Sequence, residues 1–172
     1  MTTRRTLLLA SPLLLAGCGF RPLYRPGNMP SGEALSAELA AVQVARIGER
    51  QGQLLRRALM ARLEDTRPGT APRYELRVGV RNDSDVQGYR TDGAITRIRV
   101  TVSADFVLMT LGTEQEEILR GTARKFDAFN LPDLQFFAAD ISREAMERRL
   151  MEDVAEDIAR RLALEFRRRG EA

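Results

Sequence analysis

Two stretches of this chain alternate between apolar and polar residues, and that alternation limits the folds open to it. In "YELRVGV" (74–80) and "IRVTVSADFVL" (98–108), alternate residues are apolar and most residues between them are charged or hydroxylated. A side-chain period of two is that of a β-strand with one buried and one open face. A less regular strand is predicted over 116–130, where Gly121 and Ala123 allow close packing. Three successive strands predict an antiparallel meander.

The remaining elements are a short first strand and two amphipathic helices. Residues 39–47 are mostly apolar and include β-branched side chains, which predicts the short first strand. The first helix is predicted to begin at residue 49 and to end before Pro68. A last helix is predicted to start at Pro132 and Asp133. Its apolar stripe is predicted to comprise Leu134, Phe137, Ala138, Ile141, Ala145, Met151, Val154, Ala155, Ile158, Leu162 and Phe166.

These elements predict an α+β fold of the order β-α-β-β-β-α. Two helices on one face of a four-stranded, mainly antiparallel sheet form a two-layer α/β sandwich. The other face of the sheet is then left without cover from the chain itself.

The first residues read as a targeting segment. Residues 1–17 combine Arg4 and Arg5 with an apolar run too short to span a membrane, which is the layout of a signal peptide. Leu15-Ala16-Gly17-Cys18 resembles the bacterial lipobox, and that resemblance implies cleavage before Cys18, a diacylglyceryl thioether on its sulfur and an N-acyl chain. We therefore predict a signal peptide (1–17), a lipidated tether (18–38) and an α/β domain (39–170).

Composition removes several classes of function. The chain has no histidine and no tryptophan, and its one cysteine is accounted for by lipidation, which excludes histidine-based nucleophilic catalysis, disulfides and ordinary zinc sites. Loss of residues 1–17 reduces the 27 basic side chains to 25 against 24 acidic ones, so the charge gives no argument for nucleic acid. Asp83, Asp85 and Asp92 could serve carboxylate catalysis, but "NDSDVQGYRTDG" (82–93) favours a plain turn.

The start of the predicted mature chain carries a family resemblance. Cys18-Gly19-Phe20-Arg21-Pro22-Leu23-Tyr24, followed by this order of elements and an Ala/Arg-rich last helix, resembles the LPS-assembly lipoprotein LptE family. The resemblance implies an outer-membrane, periplasm-facing lipoprotein that plugs and helps assemble the LptD β-barrel and contacts lipopolysaccharide. It also implies no catalytic residue and no cofactor, apart from the lipid on Cys18. Gly19 in place of an aspartate agrees with outer-membrane sorting.

The candidate contact residues are basic side chains of the open sheet face. They are Arg77, Arg97, Arg99, and, on the last strand, either Arg120 and Arg124 or, in the other phase, Lys125. A guanidinium can bind a phosphate of lipid A through two parallel hydrogen bonds. The alternatives are a solvated strand face or contact with the polar inner wall of a barrel.

Two other functions remain open at this stage. One is an accessory lipoprotein of a different envelope transport system, and the other is an anchored carboxylate hydrolase. The apolar residues Phe20, Leu23 and Tyr24 of the tether could pack on a barrel or bilayer, or fold back on the domain.

Overall fold

The fold is seen in a computed structural model that describes residues 30–170. The predictions for the signal peptide, for Cys18 and for residues 18–29 of the tether lie outside this range. The elements in chain order are α1 (Pro30–Ala40), β1 (Val42–Val44), α2 (Glu49–Met60), a 3-10 turn (Glu64–Thr66), β2 (Tyr74–Tyr89), β3 (Ile95–Thr110), β4 (Glu117–Asn130) and α3 (Phe136–Gly170).

The strands form one mixed sheet in the order β1-β2-β3-β4. β1 runs parallel to β2, while β2, β3 and β4 form the predicted antiparallel meander. Phe106 of β3 pairs with Gly121 of β4, and its ring lies over the glycine. A Cβ atom at position 121 would stand 2.8 Å from Cζ of Phe106, which is closer than carbon atoms pack. Glycine at this position therefore makes room for the largest side chain at the centre of the sheet.

The helices bury the apolar face of the sheet, which confirms the two-layer α+β architecture. Leu55 and Leu59 of α2 and Val154, Ile158 and Leu162 of α3 are fully buried in one core with the inward residues of β3. Because these helical residues recur every three or four positions, each helix presents one continuous stripe to the sheet.

Helix α1 corrects two predictions. Residues 30–38, predicted as part of the lipidated tether, form a helix that precedes β1, so three helices rather than two belong to the described fold. Glu38 of α1 accepts a hydrogen bond of 2.8 Å from the Tyr74 hydroxyl and forms an ion pair with Arg73. The Tyr74 ring also packs against Phe166 of α3, with 5.0 Å between ring centroids. This end of the sheet, where β2 begins, is called the base below.

The β2–β3 connection is shorter than predicted. β2 continues to Tyr89, so Asp83 and Asp85 lie within a strand and only the residues around Asp92 form the turn. Side chains such as Asn, Asp and Ser disfavour strands locally, but fifteen backbone pairings with β3 outweigh that preference.

Helix α3 begins later than predicted, at Phe136, and its first apolar residues are not buried. Leu134, Phe137 and Ile141 are exposed, whereas Ala139 and Met146 face the core. At 100° per residue, Phe137 and Ile141 lie on the side of the helix opposite to Ala139 and Met146. Within residues 30–170, no helix is both long and apolar enough to cross a membrane.

Candidate functional site

The open face of the sheet carries the candidate site. The pairing register places Arg77 of β2, Val107 of β3 and Arg120 of β4 in one row across the strands, and alternate residues along each strand share that face. Arg77 and Arg120 are exposed, as are Arg81, Asp105 and Thr122 further along the same face. Among residues 30–170, the helices pack on the other side of the sheet.

The register decides between the two phases left open for the last strand. Arg120 and Arg124 lie on the open face, because they pair with Val107 and Ser103. Lys125 pairs with Val102 and faces the helices, so its prediction as an open-face contact is wrong. Its neighbour on that side, Asp127, forms a 2.9 Å ion pair with Arg149 of α3.

The arginines nearest the base form ion pairs with neighbouring carboxylates. Arg77 contacts Glu75 and Arg120 contacts Glu117, each at 2.6 Å. The hydrogen bond between the second pair raises the pKa of Arg120 and lowers the pKa of Glu117. Exposed pairs of this kind stabilise a fold little, but they reduce the net charge offered to a ligand.

A polar network joins the three long strands near the middle of the face. Asp105 of β3 forms an ion pair of 2.7 Å with Arg81 of β2 and accepts a 2.6 Å hydrogen bond from the hydroxyl of Thr122 of β4. The Asp105 carboxylate therefore has partners on both neighbouring strands, which fixes its position between them.

On the open face beyond this network, the arginines within β3 and β4 form no ion pair with a described carboxylate, although Asp85 of β2 pairs with Arg99 across the strands. We call Arg97, Arg99 and Arg124 the distal arginine set. The Arg97 Nη1 atom donates a 2.9 Å hydrogen bond to the side-chain oxygen of Asn130, and the Arg99 guanidinium lies 5.1 Å from the ring centre of Phe126. A guanidinium over an aromatic face keeps its hydrogen-bonding edge free for an anion.

The predicted basic residues do not form one cluster. Arg120 pairs with Val107, which lies ten positions from Arg97 along β3. At 3.3 Å per residue, Arg97 and Arg120 are therefore about 33 Å apart along the strand direction. The open face therefore consists of a base whose arginines are ion-paired and a distal part whose arginines form no ion pair among the described residues, although Asp83 and Asp85 lie on that same part.

The carboxylates considered for catalysis are not gathered in a pocket. Asp83 and Asp85 pair with Thr101 and Arg99 on the open face, while Asp92 caps its own turn by accepting a hydrogen bond from the Ala94 amide. Over residues 30–170, no group of three metal-ligating side chains comes together. A groove of about 450 Å³ lies beside the end of β1 and is lined by residues that include Arg46, Arg77 and Asp105.

The helix side of the sheet holds a buried carboxylate that sequence reasoning missed. Asp157 of α3 has only 6% of its side chain exposed and bonds Arg160 and Arg161, the second at 2.9 Å. Burial alone would raise the pKa of Asp157, but the hydrogen bonds from both arginines, with the charges of Arg161 and Lys125, lower it below its ordinary value.

Asp157→Asn is expected to lower the free energy of unfolding by about 1–3 kcal/mol at pH 7, since two charge-assisted hydrogen bonds are weakened. A lowered pKa stabilises the fold above the pKa of the unfolded chain, about 3.9, and this contribution is lost as the pH falls through the folded pKa. Urea denaturation should show the difference from wild type narrowing below about pH 4. Asp153→Asn, at an exposed position of the same helix, is the control and should change stability little. A pH-independent difference would contradict this reasoning.

Several solved structures of bacterial proteins share this fold. The chain resembles a lipoprotein from Caulobacter crescentus CB15, with 24% identity over 81% of this chain and 98% of the other and a TM-score of 0.65. A minor lipoprotein from Acinetobacter baumannii is 14% identical, and the match covers 73% of this chain and 92% of the other with a TM-score of 0.55. The rare lipoprotein B from Shewanella oneidensis is 12% identical, and the match covers 71% of this chain and 92% of the other with a TM-score of 0.51. The described domain thus has the fold of a class of small bacterial lipoproteins.

The family follows from the sequence itself. The sequence model of the LptE family, described as lipopolysaccharide-assembly, matches residues 39–162. This chain belongs to the LptE family, as its opening residues and order of elements indicated. No curated protein matches it.

Proposed function

We propose that this chain is an outer-membrane lipoprotein that plugs and helps assemble an LptD-type β-barrel and contacts lipopolysaccharide during its export. The observation that carries the proposal is the sheet face that none of residues 30–170 covers, with ion-paired arginines at its base and a distal arginine set that forms no ion pair among those residues. Membership of the LptE family supports the assembly role. In this proposal Cys18 carries the acyl chains that hold the protein at the membrane.

The dimensions and polarity of the domain suit a plug. β3 has 16 residues, which at about 3.3 Å per residue gives a length of about 50 Å, against about 40–45 Å for a whole bilayer with its headgroups. A barrel lumen is polar, so a plug needs polar side chains on the surface that meets it. The open face supplies paired charges at its base and middle, which can contact a polar wall without leaving a charge buried and unpaired.

The distal arginine set suits contact with lipopolysaccharide. Lipid A carries phosphates, and a guanidinium without a carboxylate partner can donate two parallel hydrogen bonds to each of them. Arg97, Arg99 and Arg124 share one face and lie within about 20 Å of each other along the strands, since they occupy or pair with positions 97 to 103 of β3. The proposed role is binding and positioning, without catalysis and without a cofactor.

The proposal is tested by purifying the acylated protein from membranes of its own host under mild detergent. We expect a stoichiometric complex with a large heat-modifiable β-barrel, and a mass for the chain that begins at Cys18 and includes three acyl chains. Recovery of an inner-membrane ATPase or a periplasmic solute-binding protein in place of the barrel would contradict the proposal and favour an accessory lipoprotein of another transport system.

A further inference from the structure

Strand β2 has a free edge over most of its length. β1 pairs with β2 only from Tyr74 to Leu76, and just beyond it the Ala45 amide donates a 3.0 Å hydrogen bond to the Leu76 carbonyl. After Leu76, no strand within residues 30–170 pairs with β2 on that side. Because backbone groups alternate in direction along a strand, every second residue after Leu76 turns its N–H and C=O groups to this edge. These outward-facing residues are Val78, Val80, Asn82, Ser84 and Val86.

The free part of β2 is regular and accessible. Residues 74–86 pair with β3 one to one, and register shifts begin only between Val86 and Gly88. Residues 81–87 are all exposed, and the groove beside the end of β1 is lined in part by Val78. We call residues 78–86 the β2 edge. A row of unpaired backbone groups of this kind can pair with a strand of another chain.

The other edge strand of the sheet, β4, is better protected. The Ile118 carbonyl accepts a 3.4 Å hydrogen bond from Arg169 of α3, and the Ala128 amide donates a 2.7 Å hydrogen bond to the Asp127 carboxylate. Side chains therefore occupy backbone groups near both ends of β4. The β2 edge contains neither lysine nor proline, which are residues that commonly block an edge. Of the two edges, β2 is thus the one more open to pairing.

The charges of β2 are complementary to those of a second copy of the same strand. On the open face, Arg77 and Arg81 precede Asp83 and Asp85, so the basic residues come first and the acidic residues follow. Antiparallel pairing of two identical strands sets the first half of each against the second half of the other. Opposite charges then meet on both sides of a two-fold axis, which favours a second copy as the partner.

The same charges select the register of this pairing. Outward-facing residues must pair with each other, so the axis passes through a residue. An axis through Arg81 sets that arginine against itself, and an axis through Asp83 does the same for the aspartate. An axis through Asn82 sets Arg81 of each copy opposite Asp83 of the other, and Val78 opposite Val86. Asp83 is exposed and forms no ion pair among residues 30–170, and Asn82 is the midpoint of the β2 edge.

The elements around the β2 edge leave room for this arrangement. Residue 86 of one copy lies opposite residue 78 of the other, two positions beyond the last residue that β1 pairs with. The register shifts at Gly88 follow directly, and such irregularities bend a strand. Helix α2 begins near Asn82, to which Gln51 is hydrogen-bonded, and leads back toward the base. The two α2 helices therefore extend in opposite directions from the axis.

We propose that two copies of this chain form an antiparallel dimer through the β2 edge, with the axis at Asn82. Each pair of outward-facing residues exchanges two backbone hydrogen bonds, and three long strands from each copy join in one sheet. The inference goes beyond the proposed function and does not depend on it, because the dimer needs neither a barrel nor a glycolipid. Pairing in this way also protects the edge from other exposed strands.

The test is disulfide trapping in the full chain with Cys18→Ser, which has no other cysteine, expressed in its own host. Asn82→Cys sets the two introduced thiols opposite each other at a Cα separation of about 5.5 Å, within disulfide range. Ser84→Cys is the register control, because its two copies lie four positions, about 13 Å, apart. We expect mild oxidation to give a two-chain product at 82 and little at 84, and Val80→Cys with Ser84→Cys should give the product again.

Three outcomes of the trapping experiment would overturn the inference. They are equal yields at positions 82 and 84, no two-chain product at 82, and a disulfide at 82 with a different protein in place of a second copy.

Charge reversal gives a second measurement, by sedimentation equilibrium of the Cys18→Ser protein. Arg81→Asp sets two carboxylates against each other on both sides of the axis and should weaken the dimer by about tenfold or more. Adding Asp83→Arg should restore the affinity, although the ion pair of Arg81 with Asp105 within one chain stays lost. Arg57→Asp, on α2, is the control and should dimerise as wild type does. Equal dimerisation of all four proteins, or a wild-type protein that stays monomeric, would contradict the proposal.

Discussion

Arg97→Asp together with Arg99→Asp is expected to weaken lipopolysaccharide binding by about 100-fold or more, since each charge-assisted hydrogen bond contributes roughly 1.5–3 kcal/mol. Neither arginine forms an ion pair among residues 30–170, so in wild type both guanidinium groups are available to phosphate. The reversed side chains would also repel the phosphates. Binding is measured by titration of the soluble Cys18→Ser protein with monodisperse lipopolysaccharide.

The matched control reverses two arginines on the helical layer. Arg57 of α2 and Arg148 of α3 are exposed and form no ion pair with any described residue, so Arg57→Asp with Arg148→Asp changes the net charge by the same amount. If binding depends on the open face, the control should retain affinity close to wild type. Equal losses in the two double variants would show that only net charge matters, and unchanged affinity in the test variant would remove Arg97 and Arg99 from the ligand site.

Phe106→Ala is expected to lower the free energy of unfolding by about 3–5 kcal/mol, which is the usual cost of removing a buried phenylalanine. Phe106 is 1% exposed, and its ring fills the space above Gly121, where no side chain can replace it. For a chain of this length, about 2–4 °C per kcal/mol gives a fall in Tm of roughly 6–20 °C. The measurement is thermal and urea unfolding of the Cys18→Ser protein.

Phe126→Ala provides a control on the neighbouring strand. Phe126 lies on the opposite face of the same sheet and is 67% exposed, so its removal should change the free energy of unfolding by less than about 1 kcal/mol. Because its ring underlies Arg99, Phe126→Ala should affect ligand binding more than stability. Similar losses of stability in both variants would mean that the two faces of the sheet are not distinct in burial.

The alternation of residues determined most of the architecture. Val100, Val102 and Phe106 could face only one way and Arg97, Arg99 and Asp105 the other, because a strand places successive side chains on opposite faces. The absence of histidine similarly limited the chemistry from composition alone. The extent of β2 was not predictable, since the local preference of Asp83 and Asp85 for turns is overridden by pairing with β3, which lies more than ten residues away in sequence.

Only the tertiary structure decided which charges are free and which apolar residues are exposed. Arg81 and Arg97 look alike in the sequence, but the first forms an ion pair with Asp105 of the neighbouring strand and the second forms none within residues 30–170, a distinction set by strand register. Lys125 belongs to the helix side because the pairing of β4 with β3 fixes its phase. Phe137 fits an apolar stripe by spacing, yet it is exposed because α3 turns Ala139 and Met146 toward the sheet. Periodicity gives the relative orientation of residues within one element, whereas packing between elements decides which orientation is buried.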